Sequence, residues 1–160
     1  MNLNTLFTKQ KLLDEHIVNE KGLHGQDLLK KKTVALICEL YELSNELKFF
    51  KFWKDDIKIN RDLALEEYSD VIHFSISIAN DLGYTEHKYV HTEVTDLNDL
   101  VLGITNISTI IPQSRETHHI STLINNVIQL GYQLGFTEDD VLNAYEEKNK
   151  TNYDRQKSGY

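Results

Sequence analysis

The chain has few of the residues that build tight turns or covalent cross-links. Its 160 residues include one proline, seven glycines and one cysteine. This shortage argues against an all-β sandwich, which needs many tight turns, and the long periodic segments between these residues favour helices. The single cysteine, Cys38, cannot form an internal disulfide, so nothing indicates a secreted disulfide scaffold. Because Cys38 lies in an apolar segment, we expect a buried and unreactive thiol.

Long apolar runs and an excess of positive charge are also missing. No apolar stretch approaches the roughly 20 residues of a membrane-spanning helix, and the N-terminus lacks the pattern of a signal peptide. We therefore expect a cytoplasmic protein without membrane contacts. The formal net charge of −8 argues against nucleic-acid binding, which needs a basic surface.

Apolar residues recur at helical spacing along most of the chain and predict about six helices. The helices are expected over residues 3–19, 27–52, 62–82, 96–111, 117–134 and 137–150. Asp27 and either Thr95 or Asp96 are candidate N-caps, and Pro112 is expected to end the fourth helix. No repeat or linker is visible, so we predict a single all-α domain over residues 1–160 with a four-helix core. The basic tail from about residue 148 is expected to be flexible.

The second predicted helix carries acids beside its apolar face. Glu39, Glu42 and Glu46 lie three and seven residues apart, which places them on one side of a helix. A neighbouring stripe of four leucines marks the core side of the same helix: Leu36, Leu40, Leu43 and Leu47. Carboxylates next to a core are costly unless a cation meets them, so a partner for these acids must exist.

The third predicted helix supplies a second acidic pair, Glu67 and Asp70. If the two helices pack antiparallel, Glu39 and Glu42 converge with this pair in one cleft. Oxygen ligands at such density suit Mg²⁺ or Mn²⁺, and a carboxylate beside the ions can activate water for hydrolysis of a phosphoanhydride. The alternative interpretation is that each pair is a solvated helix face, because Glu-x-x-Glu spacings are common. No P-loop motif is present.

Four other short sequence motifs accompany the two acidic pairs. The pairs read Glu39-Leu-Tyr-Glu42 and Glu67-Tyr-Ser-Asp70, followed by Phe50-Lys51-Phe52-Trp53 and His73-Phe74 respectively. The N-terminal helix carries Gln10-x-x-Leu13-Asp14, and the tail reads Lys148-Asn149-x-x-Asn152-x-x-Arg155-Gln156-x-x-Gly159-Tyr160. With these motifs the chain resembles the dimeric dUTPases of the all-α nucleoside triphosphate pyrophosphatases, particularly the short forms of Gram-positive bacteria and their phages.

The resemblance implies a Mg²⁺-dependent homodimer that hydrolyses dUTP, and also dUDP, to dUMP. Glu39, Glu42, Glu67 and Asp70 would bind Mg²⁺, with Glu39 as the general base and Glu46 in a supporting role. By the same resemblance, Lys51, Lys148 and Arg155 would contact phosphate, and Asn152 would contact phosphate or ribose. Gln10 and Trp53 would contact uracil, and His73 and Phe74 would border the deoxyribose.

Several alternatives remain open on the sequence alone. The same chemistry on another nucleotide, such as dCTP, would use a similar metal site. A helical partner-binding protein is a second class, because phage proteins of this family have been linked to bacterial repressors, and the segment from Tyr84 to Asn106 carries no recognised motif. Trp53 and His73 also fit roles as core residues.

Overall fold

The computed structural model describes residues 1–93 and 96–157, and these residues form six α-helices joined by loops. The helices are α1 (Asn4–Glu20), α2 (Leu29–Leu47), α3 (Arg61–Asp81), α4 (Leu97–Ser114), α5 (Thr117–Gln133) and α6 (Glu138–Lys157). No strand occurs within the described ranges. The all-α prediction is therefore confirmed.

Helix α3 lies at the centre of the bundle and contacts α1, α2, α5 and α6, while α4 packs on α2 and α5. Most of its residues from Tyr68 to Ala79 are buried. The leucine stripe of α2 faces this centre, and all four of its side chains are at most 4% exposed. Burial of such apolar area is the main stabilising contribution in a domain of this size. The stripe thereby holds the acidic side of α2 against α3.

Local signals define several helix ends. The Asn60 side chain accepts hydrogen bonds from the backbone N–H groups of Asp62 and Leu63, at 3.1 and 3.3 Å, and so caps α3. Thr137 and Asp140 form a reciprocal capping box at the start of α6, where each side chain accepts from the other's backbone N–H. These caps satisfy amide groups that the first helical turn leaves unpaired.

A close approach between α3 and α5 depends on a glycine. The Tyr68 hydroxyl donates to the Val127 carbonyl at 2.9 Å in the core. A Cβ atom on Gly131 would lie only 2.3 Å from that hydroxyl oxygen. Glycine at this position is therefore required for the two helices to meet as closely as they do.

The segment after α3 is attached to the bundle by specific hydrogen bonds. The Asn125 side chain of α5 donates to the Val90 carbonyl at 2.9 Å and accepts from the Val90 N–H at 2.8 Å. The His87 N–H donates to the Asn4 side chain of α1 at 2.8 Å. These contacts dock the polar loop, for which the sequence offered no motif, against α1 and α5.

Three predicted helix ends were wrong. Helix α2 ends at Leu47 because Lys48 adopts a left-handed conformation with φ of 59°, which places residues 49–53 in a loop. Pro112 lies inside α4; proline removes only one N–H near the helix end, and Arg115 still donates to the Ile111 carbonyl. Helix α6 continues to Lys157, so the described part of the basic tail is helical.

The predictions for the cysteine and for the helix caps are partly wrong and partly confirmed. Cys38 is exposed, because a residue two positions from Leu36 and Leu40 points away from the buried stripe; the prediction of a buried thiol was wrong. Asp27 accepts from the Leu29 N–H at 3.1 Å, but the N-cap residue of α2 is Leu28, so the prediction of Asp27 as the cap was wrong. Asp96 caps α4. The alternative cap Thr95 and the tail residues Gly159 and Tyr160 lie outside the described residues. None of the helices in residues 1–93 and 96–157 combines the length and apolarity needed to cross a membrane.

Candidate active site

A cavity of about 410 Å³ opens between α1, α2, α3 and α6. Its acidic end is formed by Glu39 of α2 and Asp70 of α3, and its apolar end by side chains such as Ile17 and Leu28. Helix α6 covers one side with polar and basic residues. A cavity with convergent polar groups at one end and apolar walls at the other is typical of a ligand site.

Three carboxylates meet at the acidic end. One oxygen of each of Glu39, Glu67 and Asp70 lies within 4.8 Å of the others. Asp70 is only 7% exposed, and the two glutamates are half-buried. The antiparallel packing expected of α2 and α3 accounts for this convergence, since it places Glu39, Glu67 and Asp70 on the facing sides of the two helices. The spacing leaves room for a divalent cation held by carboxylate oxygens.

The negative charges of this cluster are only partly balanced by nearby positive charge. Burial, together with the charges of Asp70, Glu42 and Glu67, raises the pKa of Glu39 from 4.5 to about 7. Burial and the neighbouring acids Asp70 and Glu42 also raise the pKa of Glu67. Like charges at short distance disfavour ionisation in this way. A bound cation would reverse the effect, so the cluster fits a metal chemically as well as geometrically.

Lys148 of α6 is the nearest cation to the cluster. Its ammonium lies 2.6 Å from an Asp70 oxygen and 3.2 Å from Glu66. Burial raises the pKa of Asp70, and the bonded Lys148 ammonium opposes that rise. Burial lowers the pKa of Lys148, but the contacts with Asp70 and Glu66 outweigh it and raise the pKa overall. The ammonium therefore stays charged beside the acids.

The remaining acids of α2 lie further out. Glu42 is exposed and is not one of the three that meet within 4.8 Å, although its charge raises the pKa of both Glu39 and Glu67. Glu46 is paired with Lys48 at 3.9 Å. The structure therefore places Glu42 near the cluster without bringing its oxygens into the group, and its role as a ligand stays a prediction.

Helix α6 brings the tail motif to the cavity. Asn152, Arg155 and Gln156 line it beside Lys148, and the charge of Arg155 lowers the pKa of Asp70. These polar groups lie on the same side of the cavity as the acids. Three predicted substrate contacts, Lys148, Asn152 and Arg155, are thus gathered at one place by one helix.

A hydrogen-bond network around Gln10 forms another part of the cavity wall. Gln10 of α1 is 4% exposed, and its carbonyl meets the Tyr145 hydroxyl and His73 Nδ1, each at 2.7 Å. Its amide group donates to Asp14 at 2.8 Å, and the Ser77 hydroxyl donates to the same carboxylate at 2.6 Å. The His73 ring stacks on Tyr145 at 3.9 Å, and burial lowers its pKa to about 4.

Two predicted substrate residues are not at this cavity. Trp53 is 61% exposed in the loop after α2, so its alternative as a core residue was wrong. Lys51 lies over the Phe50 ring, with 5.5 Å between its ammonium and the ring centroid. Neither lines the cavity, whereas Gln10, His73 and Phe74 do. The uracil and phosphate roles of Trp53 and Lys51 stay predictions.

The sequence indicated some of the wall residues only weakly and others not at all. Asp14 follows Gln10 by four positions and Ser77 follows His73 by four, so each pair shares a helix face. Tyr145 offers no such signal, because its contact with Gln10 joins residues 135 positions apart. Lys32, for which the sequence offered no such signal either, is 14% exposed and paired with Asp14 at 3.4 Å and Asp81 at 2.8 Å.

The chain matches a family model described as dUTPase over residues 2–160. This match includes all six helices and every motif segment on which the resemblance rested. No curated protein matches the chain. All residues that line the cavity lie within the matched range.

Proposed function

The chain belongs to the dUTPase family, and we propose that its three converging carboxylates bind Mg²⁺ for the hydrolysis of dUTP to dUMP and pyrophosphate. Its activity is that of a dUTP diphosphatase. The observation that carries the proposal is the meeting of Glu39, Glu67 and Asp70 within 4.8 Å at the end of a 410 Å³ cavity. Acids so placed destabilise one another unless a cation joins them.

Carboxylate oxygens without cysteine or histidine in the group favour a hard cation such as Mg²⁺. When bound, Mg²⁺ would neutralise the phosphate charge and orient the attacked phosphorus. We assign Glu67 and Asp70 as ligands, with Glu42 as a ligand at the outer edge of the cluster. This assignment agrees with the electrostatic effect of Glu42 on its neighbours.

Glu39 is our proposed general base. One of its oxygens lies within 4.8 Å of oxygens of Glu67 and Asp70, so its carboxylate is placed to accept a proton from a water held beside these acids. A water held between the acids and a phosphate would give its proton to the Glu39 carboxylate. The same group can also contribute an oxygen to the metal.

The basic side of the cavity suits the triphosphate. Lys148 carries its charge 2.6 Å from Asp70, so a phosphate that approaches the acids would meet its ammonium. Arg155 and Asn152 line the same side, and an arginine can bind phosphate oxygens with two parallel hydrogen bonds. We propose all three as phosphate-binding residues, with Asn152 also within reach of the ribose.

The part of the wall around Gln10 suits the nucleoside. We propose that Gln10 contacts the base and that His73 and Phe74 border the deoxyribose, because all three line the same cavity as the acids. Trp53 and Lys51 remain proposed contacts from the resemblance to the family. Substitution of Trp53 by alanine should raise KM for dUTP if that role is correct, and an unchanged KM would exclude it.

Membership in the family implies an oligomeric assembly, and we propose a homodimer. The outer faces of α2 and α4 expose Val34, Tyr41 and Leu102, which are 62%, 43% and 63% accessible. Apolar side chains of this size are normally covered in an assembly. Light scattering of Leu102→Glu should show monomer where the wild type shows dimer; a dimeric variant would direct attention to another face.

The partner and location inferred from the resemblance stay predictions. The bacterial repressor has no support in the family match, and nothing among the described contacts points to it. The cytoplasmic location likewise rests on the sequence alone. Both would be tested separately from catalysis.

The test of the proposed function is release of pyrophosphate from dUTP with Mg²⁺ and with a chelator. We expect turnover with Mg²⁺, none with chelator, and recovery when Mg²⁺ is restored. A panel of the standard deoxynucleoside triphosphates and dUDP, assayed beside dUTP, defines the substrate. Faster turnover of dCTP than of dUTP would refute the proposed substrate, and turnover in the presence of chelator would refute the metal.

A further inference from the structure

The wall of the cavity around Gln10 determines which atoms this residue can offer to a ligand. A glutamine side chain has a carbonyl oxygen that accepts two hydrogen bonds and an amide nitrogen that donates two. The Gln10 carbonyl already accepts one bond from the Tyr145 hydroxyl at 2.7 Å. It meets His73 Nδ1 at the same distance. Both acceptor positions are therefore occupied within the protein.

The orientation of this amide is set by Asp14. The Gln10 nitrogen donates to one Asp14 oxygen at 2.8 Å. The other oxygen accepts from the Ser77 hydroxyl at 2.6 Å and from Lys32 at 3.4 Å. If the amide were reversed, its carbonyl would face a carboxylate that is held by an ammonium, and two acceptors would oppose each other at hydrogen-bond distance. With Asp14 ionised beside Lys32, only the nitrogen can face it.

This orientation also determines the tautomer of His73. Because a carbonyl oxygen has no proton to give, His73 Nδ1 must be the donor in its contact with Gln10. Burial lowers the pKa of His73 to about 4, which keeps the ring neutral. The ring is buried at 4% exposure and stacked on Tyr145, so it holds its position. The other nitrogen, Nε2, carries a lone pair and no proton.

One hydrogen-bonding group of Gln10 remains for a ligand: the second N–H of its amide. Gln10 lines the same cavity as the acids, where the base of a nucleotide bound through its phosphates would lie. We propose that Asp14 and Tyr145 are positioning residues that hold the Gln10 amide as a donor only, so that it selects a base with a carbonyl oxygen and rejects one with an amino group at that point.

This inference rests on the proposed function, since it concerns the base of the same nucleotide. Uracil and cytosine differ at ring position 4, where uracil has a carbonyl and cytosine an amino group. A donor directed there pairs with the uracil oxygen and opposes the cytosine amino group. A buried donor that faces another donor costs substantial binding free energy. Sites built to hydrogen-bond a substrate therefore discriminate strongly against analogues that cannot accept the bond.

The test compares two variants that release the amide with two that do not. Asp14→Asn gives Gln10 a neighbour that can face it with either oxygen or nitrogen, and Tyr145→Phe frees one acceptor position of its carbonyl. The two controls match these changes elsewhere. Asp81→Asn, the control for Asp14→Asn, removes the other carboxylate that holds Lys32. Tyr153→Phe, the control for Tyr145→Phe, removes a tyrosine hydroxyl from α6 at a residue outside the cavity wall. The readout is kcat/KM for dUTP divided by kcat/KM for dCTP.

We expect the dUTP preference to fall about tenfold or more in Asp14→Asn and Tyr145→Phe, through faster turnover of dCTP and a higher KM for dUTP. The preference should stay within about twofold of wild type in the two controls. An unchanged preference in both releasing variants, with dUTP turnover retained, would overturn the proposal. So would an equal loss of preference in the controls.

A second measurement does not depend on activity or on the variants. In wild-type protein with ¹⁵N-labelled histidine and no ligand, long-range ¹⁵N–¹H correlation spectra should show His73 protonated at Nδ1 and bare at Nε2. A His73 ring protonated at Nε2 would overturn the proposal, because the Gln10 amide would then have to be reversed. If neither nucleotide were hydrolysed, the proposed function would fail, and the tautomer would still decide whether the amide is held as described.

Discussion

The two groups of buried acids in the cavity differ in the contacts that hold them. In one group, Glu39, Glu67 and Asp70 lie within 4.8 Å of one another, and burial and mutual repulsion raise the pKa of Glu39 to about 7. In the other, Asp14 accepts hydrogen bonds from Gln10, Ser77 and Lys32. In the first group the carboxylates repel one another, whereas in the second burial raises the pKa of Asp14, and Lys32, Ser77 and Gln10 oppose that rise.

This difference indicates which buried acids take part in catalysis and which hold other side chains in position. A hydrogen-bonded acid stabilises one arrangement of the side chains around it, because each hydrogen bond fixes the position of the next group in the network. Acids left to repel one another reduce stability, and such an arrangement is kept where a ligand resolves it. Accordingly, we expect changes at the acidic end to affect turnover most and changes around Asp14 to affect stability and selectivity.

The largest effect should come from Glu39→Gln. The variant loses the proposed base and one carboxylate of the cluster, so we expect kcat for dUTP to fall by about a thousandfold or more. Stability in the absence of metal should be equal or higher, because one repelling charge is gone. Pyrophosphate release and urea unfolding measure the two quantities. Retained turnover would show that the acidic end is not the catalytic one.

The next effect concerns pH and His73. Burial lowers its pKa from 6.5 to about 4 in the folded protein, so the unfolded chain binds more protons between these values. Stability from this group is therefore complete above pH 6.5 and is lost as the pH falls toward 4, by roughly 3 kcal/mol in all. Urea unfolding of wild type and His73→Phe at pH 7.5 and 4.5 isolates the contribution. Parallel losses in the two proteins would contradict it.

Replacement of Asp14 by alanine should lower the free energy of unfolding by about 2 kcal/mol, because Gln10 and Ser77 lose a buried acceptor. Glu67→Ala, the matched change at the acidic end, should leave the free energy equal or raise it, because it removes one repelling charge. Chemical denaturation of both variants in metal-free buffer makes the comparison. If both were destabilised alike, the contrast between the two groups would be wrong.

A smaller effect should come from the packing that supports both groups through α3. An alanine at Gly131 would place a Cβ atom 2.3 Å from the Tyr68 hydroxyl, and we expect a loss of about 1–2 kcal/mol from overpacking. The control is Gly103→Ala, whose Cβ would meet only Asn126 at 3.6 Å and which should stabilise α4 slightly. Thermal unfolding of the two variants with equal midpoints would show that the approach of α3 to α5 is not tight.

Much of the fold and part of the site could be predicted from sequence, because both depend on local spacing. Apolar periodicity located all six helices, and the three-residue spacings of Glu39–Glu42 and Glu67–Asp70 placed these acids on the faces that meet. The end of α2 could not be predicted, because a left-handed conformation at Lys48 has no glycine to signal it. The helical extension of α6 was also missed, since its polar composition resembles that of a tail.

The group around Asp14 was out of reach for a different reason. Its network joins α1, α3 and α6 through contacts between residues 63 and 135 positions apart, and no local pattern reports such pairs. Glu42 shows the converse limit, since its spacing matched the motif while its exposed side chain lies outside the closest group. Spacing identifies a helix face, whereas tertiary packing decides which atoms on that face meet.

The carboxylates at the acidic end of the cavity lie beside the core, and we propose that a divalent cation binds between them. Thermal unfolding of the wild type and Glu39→Gln, each with and without Mg²⁺, tests it most directly. A ligand that binds only the folded state raises stability with its concentration, so Mg²⁺ should raise the midpoint of the wild type clearly and that of Glu39→Gln little. An unchanged wild-type midpoint at millimolar Mg²⁺, or equal increases in both proteins, would contradict the claim.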